Sequence, residues 1–338
     1  MKNFRMITSA ILALTLSLFL TACGGKKTET PAETTDAPQA TTEKYLIGIS
    51  QYGEHPSLDN CRTGFLQGLE QAGLKEGVDF DVDYQNAGFD DNIATQIGQT
   101  FSAEDADLMV AIATPSAVAC YAAAEDKDIP VIFTAITDPV QAKLDSGNIT
   151  GTSDKLPVEA QLDLIRQLQP DAKTIGIIYT TSEPNSVSAI AEYQAKAPEY
   201  GFEVDAVGVT SQAEVTQAAD TLISHGVDCF SNLTDNNVVG VLAAVLEKTD
   251  EAGIPVYGSE VEQVKLGCVA SAGIDYVQLG IQTGMMAAKV LTGETPCQDL
   301  PYETISEYGI YVNSTALDAM GITLPETVAQ KAVESSQA

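Results

Sequence analysis

IGISQYGEHPS, at residues 47–57, has a counterpart in IGIIYTTSEPNS at residues 175–186. Each stretch opens with a short apolar run around a glycine, which is typical of a β-strand. Each then passes through polar residues and reaches a proline followed by a helical pattern, where proline suits the first turn. The match indicates that one structural unit occurs twice in the chain.

Two further series extend the match in the same order. Asp107, an apolar run, Thr114 and an Ala-rich segment lead to Ile129-Pro130-Val131. Asp228, an apolar run, Thr234 and another Ala-rich segment lead to Ile254-Pro255-Val256. Two copies of a doubly wound unit explain this agreement.

Short β-type runs alternate with longer helical segments along both copies, which predicts βαβ units and parallel sheets. The pattern pauses at residues 147–154 and resumes with a helix at 157–168. The fold class predicted is α/β, with two Rossmann-like lobes. The predicted strands are 45–49, 80–84, 108–113 and 130–136 in the first copy, and 174–179, 202–209, 227–233, 255–258 and 268–272 in the second.

The N-terminus is typical of an export signal. Lys2 and Arg5 precede an apolar run at residues 7–20, which is too short for a membrane-spanning helix. A small residue then precedes Cys23, as in bacterial lipoprotein signals, so we expect a signal peptide at 1–22 and a lipid on Cys23. Plain secretion is the alternative. Residues 23–43 contain no large apolar side chain and should form a flexible tether.

Charge and cysteine content restrict the partners. The chain has 17 basic and 47 acidic residues, a net charge of −30. This charge argues against nucleic acid or anionic lipid as the ligand. The cysteines besides Cys23 lack CxxC spacing, and we expect mostly free, buried thiols, with a disulfide left open. These are Cys61, Cys120, Cys229, Cys268 and Cys297.

Signs of catalysis are few. The chain has no nucleophile elbow, phosphate-binding loop or GxGxxG motif. His55 and His225 are the only histidines, and their spacing predicts no metal site. We therefore predict no cofactor, no metal and no enzymatic activity. A hydrolase with a Ser–His–Asp arrangement around His55 is the least favoured alternative.

Polar side chains follow the predicted strands of both copies. Ligands of open parallel sheets bind beyond the carboxyl ends of the strands. Such residues are also common helix N-caps, and for any single one capping is the safer interpretation. Their recurrence in both copies predicts a site for a carboxylate-bearing solute between two sets of helix N-termini. They are Ser50, Gln51, Thr114, Ser116, Thr137, Asp138, Ser182, Glu183, Thr234, Asp235 and Asn236.

Several stretches together resemble the substrate-binding lipoproteins of ABC transporters that include the tryptophan and tyrosine type. They are ISQYGEHPSLD, DYQNA, AIATPSA, VIFTAITDPV, residues 148–154, QLDLIRQLQP, GIIYTTSEPNS, LTDNNVV and GIDYVQLGIQTGMMAAKVL. The resemblance implies a type I periplasmic-binding-protein fold, with two lobes joined by three hinge crossings. The lobes would comprise 44–152 plus 274–303, and 153–273 plus 304–338.

The resemblance also implies the site residues. They are Ser50, Thr114, Ser116, Glu183, Asn185, Ser186, Asp235, Asn236 and Asp275. Ser116, Asn185 and Ser186 would receive an α-carboxylate, and Asp235 and Asp275 an α-ammonium group. The aromatic candidates near these loops are Tyr52, Phe89, Phe133, Tyr179 and Tyr276, for each of which core packing is the alternative.

The predicted function is capture of a small solute by hinge closure, for an ABC permease in the membrane. An aromatic amino acid is implied as the ligand, and the protein would be a monomer on the extracytoplasmic face, held by its lipid. A ligand-sensing receptor for a membrane sensor and a binding protein for a nucleoside or sugar are the alternatives.

Overall fold

The computed structural model describes residues 44–305 and 307–336, which form two α/β lobes. The signal peptide, Cys23 and the tether predicted from the sequence lie outside the described residues. No helix in the described part combines the length and apolar character needed to cross a membrane.

The first lobe is built on a parallel sheet of six strands. Five of its strands come from the first half of the chain, and the helices between them pack on its faces. The elements are β1 (Tyr45–Gln51), α1 (Pro56–Gln71), β2 (Phe80–Asn86), α2 (Asp91–Ala103), β3 (Leu108–Ile112), α3 (Thr114–Ala124), β4 (Val131–Thr134) and β5 (Ile149–Ser153).

The second lobe is built on a sheet of seven strands. Its first elements are α4 (Val158–Leu168), β6 (Thr174–Thr180), α5 (Pro184–Lys196), β7 (Glu203–Val209), α6 (Gln212–His225), β8 (Cys229–Ser231), α7 (Asn236–Gly240), α8 (Leu242–Ala252), β9 (Val256–Gly258), α9 (Val261–Leu266) and β10 (Ala270–Gly273). The chain then continues through α10 (Tyr276–Leu291), β11 (Glu303–Thr304), β12 (Gly309–Val312), α11 (Ser314–Ala319), α12 (Glu326–Ala329) and β13 (Ala332–Glu334).

The two sheets have related strand orders. The first is β11-β5-β4-β3-β1-β2 and the second is β13-β12-β10-β9-β8-β6-β7. All neighbours are parallel except β10 and β12. The chain passes between the sheets three times, after β5, β10 and β11. The predicted α/β class with two mostly parallel lobes is confirmed.

Each lobe has its own apolar core, which the repeat predicted. Ile47 and Ile49 are fully buried in β1, and Ile175 and Ile177 are fully buried at the matching positions of β6. All five cysteines within the described residues are buried and free, so the prediction of buried thiols is confirmed for them.

The predicted pause at residues 147–154 is wrong, because most of it is strand β5. Small and hydroxyl residues fill this strand, so it lacks the apolar signature of its neighbours, yet all five residues are buried. Gly151 has φ 150°, and a Cβ there would lie 2.0 Å from the carbonyl oxygen of Phe133. Only glycine allows β5 to pair with β4 at this point.

Helices α1 and α10 pack with their backbones in contact. A Cβ on Gly64 would lie 2.1 Å from the carbonyl oxygen of Val277, and one on Gly280 would lie 2.3 Å from that of Cys61. Gly284 meets the partner helix in the same way. This packing fixes α10 on the first lobe, although α10 follows a strand of the second.

Candidate ligand site between the lobes

A small cavity of about 20 Å³ lies between the two lobes, where the carboxyl ends of their strands meet. The first-lobe side includes residues that follow β1, β4 and β5, together with the start of α10. The second-lobe side includes residues that follow β8 and β9. The lining residues are His55, Ser57, Leu58, Ala135, Asp154, Thr234, Asn236, Val239, Glu260, Gln263 and Tyr276.

Two buried carboxyl groups lie in this cavity. Asp154, directly after β5, is 3% exposed and accepts hydrogen bonds from Thr137 Oγ1 at 3.0 Å and from the hydroxyl of Tyr276 at 2.6 Å. Glu260, 1% exposed, is the N-cap of α9 and accepts from the backbone N–H groups of Glu262 and Gln263. Both acids therefore have fixed positions.

The two acids have no cationic partner. No Lys, Arg or His of residues 44–305 and 307–336 forms an ion pair with Asp154 or Glu260, and the pairs that do form lie at the surface. Burial raises the pKa of Asp154, and it raises the pKa of Glu260 to about 7. A cationic group entering the cavity would reverse this shift, because it would stabilise both carboxylates.

The ring of His55 forms part of the cavity wall, and its two nitrogens are free to form hydrogen bonds. Its ring stacks on that of Phe89 with an interplanar angle of 12° and a centroid distance of 6.4 Å. Neither ring nitrogen has a hydrogen-bond partner among the described residues. Burial lowers the pKa of His55 to about 4, so the ring is neutral at physiological pH.

Backbone strain is concentrated at the cavity end of the first sheet. Phe89, Ala113 and Ala135 follow β2, β3 and β4, and all three have positive φ, at 64°, 79° and 59°. Non-glycine residues with positive φ are uncommon and cluster at functional sites. The strain turns the chain sharply at three strand ends, and Ala135 then lines the cavity.

The lobes are joined across the cavity by hydrogen bonds between side chains. Ser57 donates to Glu260 at 2.9 Å, and Asn60 donates to Glu262 at 2.9 Å. The other two bonds join Thr137 to Thr234 at 2.9 Å and Ser188 to Asp138 at 2.6 Å. These bonds hold the two rims in contact.

The predicted site residues fall into four groups, the last of which is Asp275 alone. Asn236 lines the cavity. Ser50, Ser116 and Thr114 lie together under the first rim, where Ser50 donates to Ser116 at 3.2 Å and Thr114 Oγ1 has no partner among the described residues. The remaining second-lobe residues form a buried network beside the cavity: Glu183, Asn185, Ser186 and Asp235.

In that network the carboxyl groups of Asp235 and Glu183 already accept hydrogen bonds from protein donors. Asp235 accepts from the backbone N–H and hydroxyl of Thr180, from Ser186 and from the backbone N–H of Val238. Glu183 accepts from the amides of Asn185, Asn236 and Asn237. Burial raises the pKa of Asp235, and burial with the neighbouring Asp235 charge raises that of Glu183.

Asp275 lies apart from the others. It is exposed, caps α10 through the N–H groups of Val277 and Gln278, and lines a different groove on the protein surface. The predicted role of Asp275 as an ammonium partner stays a prediction, as does that of Asp235.

The aromatic candidates also divide. Tyr276 lines the cavity, and the ring of Phe89 stacks on the ring of His55. Tyr52 packs edge-to-face on Phe89 at 6.0 Å. Phe133 is a core residue and Tyr179 is half-buried on β6.

The cavity residues that sequence reasoning missed include Asp154, Glu260 and Ser57. Glu260 could have been found, because it closely follows the end of β9 and obeys the strand-end rule that selected the other candidates. Asp154 follows β5, the strand that the sequence did not reveal, so no strand end was available to point to it.

Comparison with known proteins identifies the family of this chain. The family model described as ABC transporter substrate binding protein matches residues 46–336. The chain belongs to this family. ABC transporter substrate binding proteins are extracytoplasmic solute-binding proteins rather than enzymes. Solved solute-binding proteins of lower identity share the fold.

Three of the matches cover most of the chain. A tyrosine-binding protein of Clostridioides difficile is 38% identical over 330 residues, which are 95% of this chain and 93% of that protein. The ABC domain of Streptococcus pneumonia in complex with L-Trp is 34% identical, with a TM-score of 0.83, covering 87% of this chain and all of that one. A ligand-free, open substrate binding protein with adhesive properties from Clostridium difficile is 39% identical, with a TM-score of 0.63, covering 86% of this chain and 99% of that one.

The two matched structures differ in how closely they superpose on this chain. The open, ligand-free structure has the higher identity but the lower TM-score. The arrangement of the lobes in this substrate binding protein is therefore closer to that of the complex with L-Trp. The hydrogen bonds between the lobes fit a closed arrangement.

No group of three or more His, Cys, Asp or Glu side chains in the described part of the chain is placed to hold a metal ion. The acids of the site are positioned by helix N–H groups and by hydroxyls.

Proposed function

We propose that this protein captures an aromatic amino acid in the cavity between its lobes and delivers it to an ABC permease. The observation that carries the proposal is the pair of buried carboxyl groups, Asp154 and Glu260, without a cation among the described residues to balance them. A buried charge is costly unless it is paired. The α-ammonium group of the ligand would supply the missing charge.

The shape of an ammonium group suits these two acids. It has three donors, and the two carboxylates approach the cavity from opposite lobes. Asp154 is held on the first-lobe side by Tyr276, and Glu260 on the second-lobe side by α9. A single ligand group contacting both acids would draw the lobes together, because only the closed form allows both contacts.

The α-carboxylate is best placed at the start of α3. The hydroxyl of Thr114 is buried without a partner in the described chain, and Ser116 accepts from Ser50 and keeps its own proton free. Helix N-termini favour anions. Ser186 and Asn185, the other predicted partners, already donate to Asp235 and to Glu183. Thr114 and Ser116 lie under the first rim, beside the cavity lining rather than in it, and are our proposed partners for the carboxylate.

The aromatic character of the ligand is supported by the cavity wall and by the relatives. Leu58, Ala135 and Val239 give an apolar surface beside the rings of His55 and Tyr276. The names of the relatives refer to tyrosine and to L-Trp. A sugar would leave the two acids without a cation.

The proposed capture requires the lobes to move and the protein to be attached to the membrane. The lobes built on the two sheets would move against each other about the three crossings. Asp154 would stay with the first lobe, to which Thr137 and Tyr276 bond it, so the first hinge would lie after Asp154 rather than at residue 153. The closed protein would be recognised by the permease. We further propose that the protein is a monomer held to the membrane by a lipid on Cys23. Replacing Cys23 with Ser should move the protein from the membrane fraction to the soluble fraction of the cell.

A ligand screen with matched analogues tests the proposed ligand. Thermal shift and calorimetry should detect binding of tyrosine or tryptophan and no binding of nucleosides or sugars. The analogues 3-(4-hydroxyphenyl)propionate and indole-3-propionate lack only the ammonium group and should bind at least about 10-fold more weakly. Equal binding of an amino acid and its deaminated analogue would remove Asp154 and Glu260 from the ammonium role.

A further inference from the structure

His55 is a buried side chain of the cavity whose hydrogen-bonding groups are both unused. Its nitrogens have no partner in the described residues, although a buried polar atom without a partner costs free energy. His55 is 9% exposed and immediately precedes Pro56, the first residue of α1, so its backbone position is fixed. Its stacking on Phe89 fixes the ring as well. An unpaired group held this firmly at a ligand cavity indicates a ligand contact.

The strand order shows which end of the ligand His55 faces. In the first sheet β5 and β4 lie towards the hinge, and β1 and β2 lie towards the far edge. Asp154 follows β5, whereas His55 and Phe89 follow β1 and β2. The first-lobe acid that would hold the ammonium group is thus at the hinge end, and the aromatic pair is at the opposite end. A ligand held by its ammonium group at Asp154 would direct its ring towards His55.

We propose that His55 is a specificity-determining residue that accepts a hydrogen bond from an O–H or N–H group on the ring of the ligand. The inference rests on the proposed function and names its substrate class more narrowly: aromatic amino acids with a ring-borne donor. Phenylalanine has none, and its binding would leave the nitrogens of His55 buried without a partner. A site built to bond a ligand group discriminates against the analogue that lacks it.

Asn236 lines the same cavity and lies close enough to His55 to act on the pKa of its ring, but no hydrogen bond of ordinary geometry joins the two side chains. The two cavity acids have their own donors, since Tyr276 and Thr137 bond Asp154 while Ser57 and the α9 backbone bond Glu260. The ring is uncharged, so it offers an anion no compensating charge. One of its nitrogens is an acceptor in either tautomer.

The test compares each donor-bearing ligand with a near-isosteric analogue that lacks the donor. Calorimetry on the purified protein measures tyrosine against phenylalanine, and tryptophan against 3-benzothienylalanine. The native protein should prefer the donor-bearing member of the pair it binds by about 10- to 100-fold. His55→Phe retains the stack on Phe89 and should abolish that preference. His225→Phe, which alters an exposed histidine paired with Asp205, should leave it unchanged.

The outcomes separate the inference from the proposed function. Absence of binding by every aromatic amino acid would overturn both. Binding without preference for the donor-bearing ligand, or equal losses for both members of a pair in His55→Phe, would overturn only the role of His55. Nitrogen NMR gives a readout that does not require the His55 variant to fold: the ring nitrogen signals of His55 should shift on addition of tyrosine or tryptophan and not with the analogue. With only two histidines in the chain, His225→Phe assigns the signals.

Discussion

The hydroxyl group of Ser57 donates a 2.9 Å hydrogen bond to the carboxyl group of Glu260 in the opposite lobe. The bond joins the start of α1 to the start of α9. Glu260 therefore contacts the opposite rim as well as the cavity, and it couples the position of the lobes to the charge inside the site.

Glu260→Gln is expected to weaken binding of the amino acid by about 10- to 100-fold, because a bond to a charged partner is lost while the oxygen that Ser57 contacts is kept. Calorimetry measures the change. Glu262→Gln is the matched control, since Glu262 also accepts a bond across the lobes, from Asn60, but pairs with Lys265 and does not line the cavity. Similar losses in both variants would contradict a special role for Glu260.

Binding should depend on pH in a defined direction. Burial raises the pKa of Glu260 to about 7, and an ammonium group requires the ionised carboxylate. Affinity should therefore be highest above pH 7 and fall as the pH is lowered from 8 to 6, with protons released on binding near neutrality. Calorimetry in buffers of different ionisation enthalpy measures that release. An affinity that does not change over this range, or one that falls equally in Glu260→Gln, would exclude the mechanism.

The ligand-free protein should show the opposite dependence in its stability. The folded-state pKa of Glu260 lies above the usual value of 4.5, and those of Asp154 and Glu183 are also raised. For such groups the stabilisation is fully present below the unfolded pKa and is lost as the pH rises through the folded pKa. The melting temperature should thus decrease between pH 5 and pH 8. Glu260→Gln should reduce the slope, and an increase across this range would contradict the assignment.

Asp235 and Asp275 are both helix N-caps, and they should behave differently. Asp235 is fully buried and accepts four hydrogen bonds that join β6, α5 and α7. Asp235→Ala should destabilise the fold by about 3 kcal/mol or more, since buried donors lose their partner. Asp275→Ala removes only an exposed cap and should cost about 1 kcal/mol. Chemical denaturation measures both. Full stability of Asp235→Ala with complete loss of binding would instead support the ammonium role predicted from the sequence.

The contact between α1 and α10 should tolerate no side chain at its centre. Gly64→Val adds a Cβ that would lie 2.1 Å from the carbonyl oxygen of Val277, and it should cost about 3 kcal/mol or more. Gln67→Val, at an exposed position of the same helix, controls for the lower helix propensity of valine and should cost less than about 1 kcal/mol. Chemical denaturation compares the two. Comparable losses would show that the helices can separate.

The fold was largely predictable because its information is local and repeated. Ile47 and Ile175 lie in strands whose glycines, prolines and caps recur in both copies, so periodicity and turn residues were sufficient. Strand β5 was missed because its hydroxyl and glycine residues carry no apolar signal, although they are buried between β4 and β11.

The site was only partly predictable, since burial and orientation decide which polar residue meets the ligand. Asp235 and Glu260 are both acids that follow a strand and cap a helix, among 47 acidic residues in the chain. Their sequence signals are alike. Only the structure shows that the oxygens of Asp235 are used within the second lobe, whereas Glu260 lines the cavity.

The hydrogen bonds that cross between the lobes have a kinetic consequence. They join hydroxyl, amide and carboxyl groups, each of which water can replace with a bond of similar strength. These hydrogen bonds align the rims of the two lobes but contribute little free energy to the closed state. The residence time of the closed state should then be controlled by the bound ligand, so that an empty molecule reopens quickly and a filled one stays closed for longer.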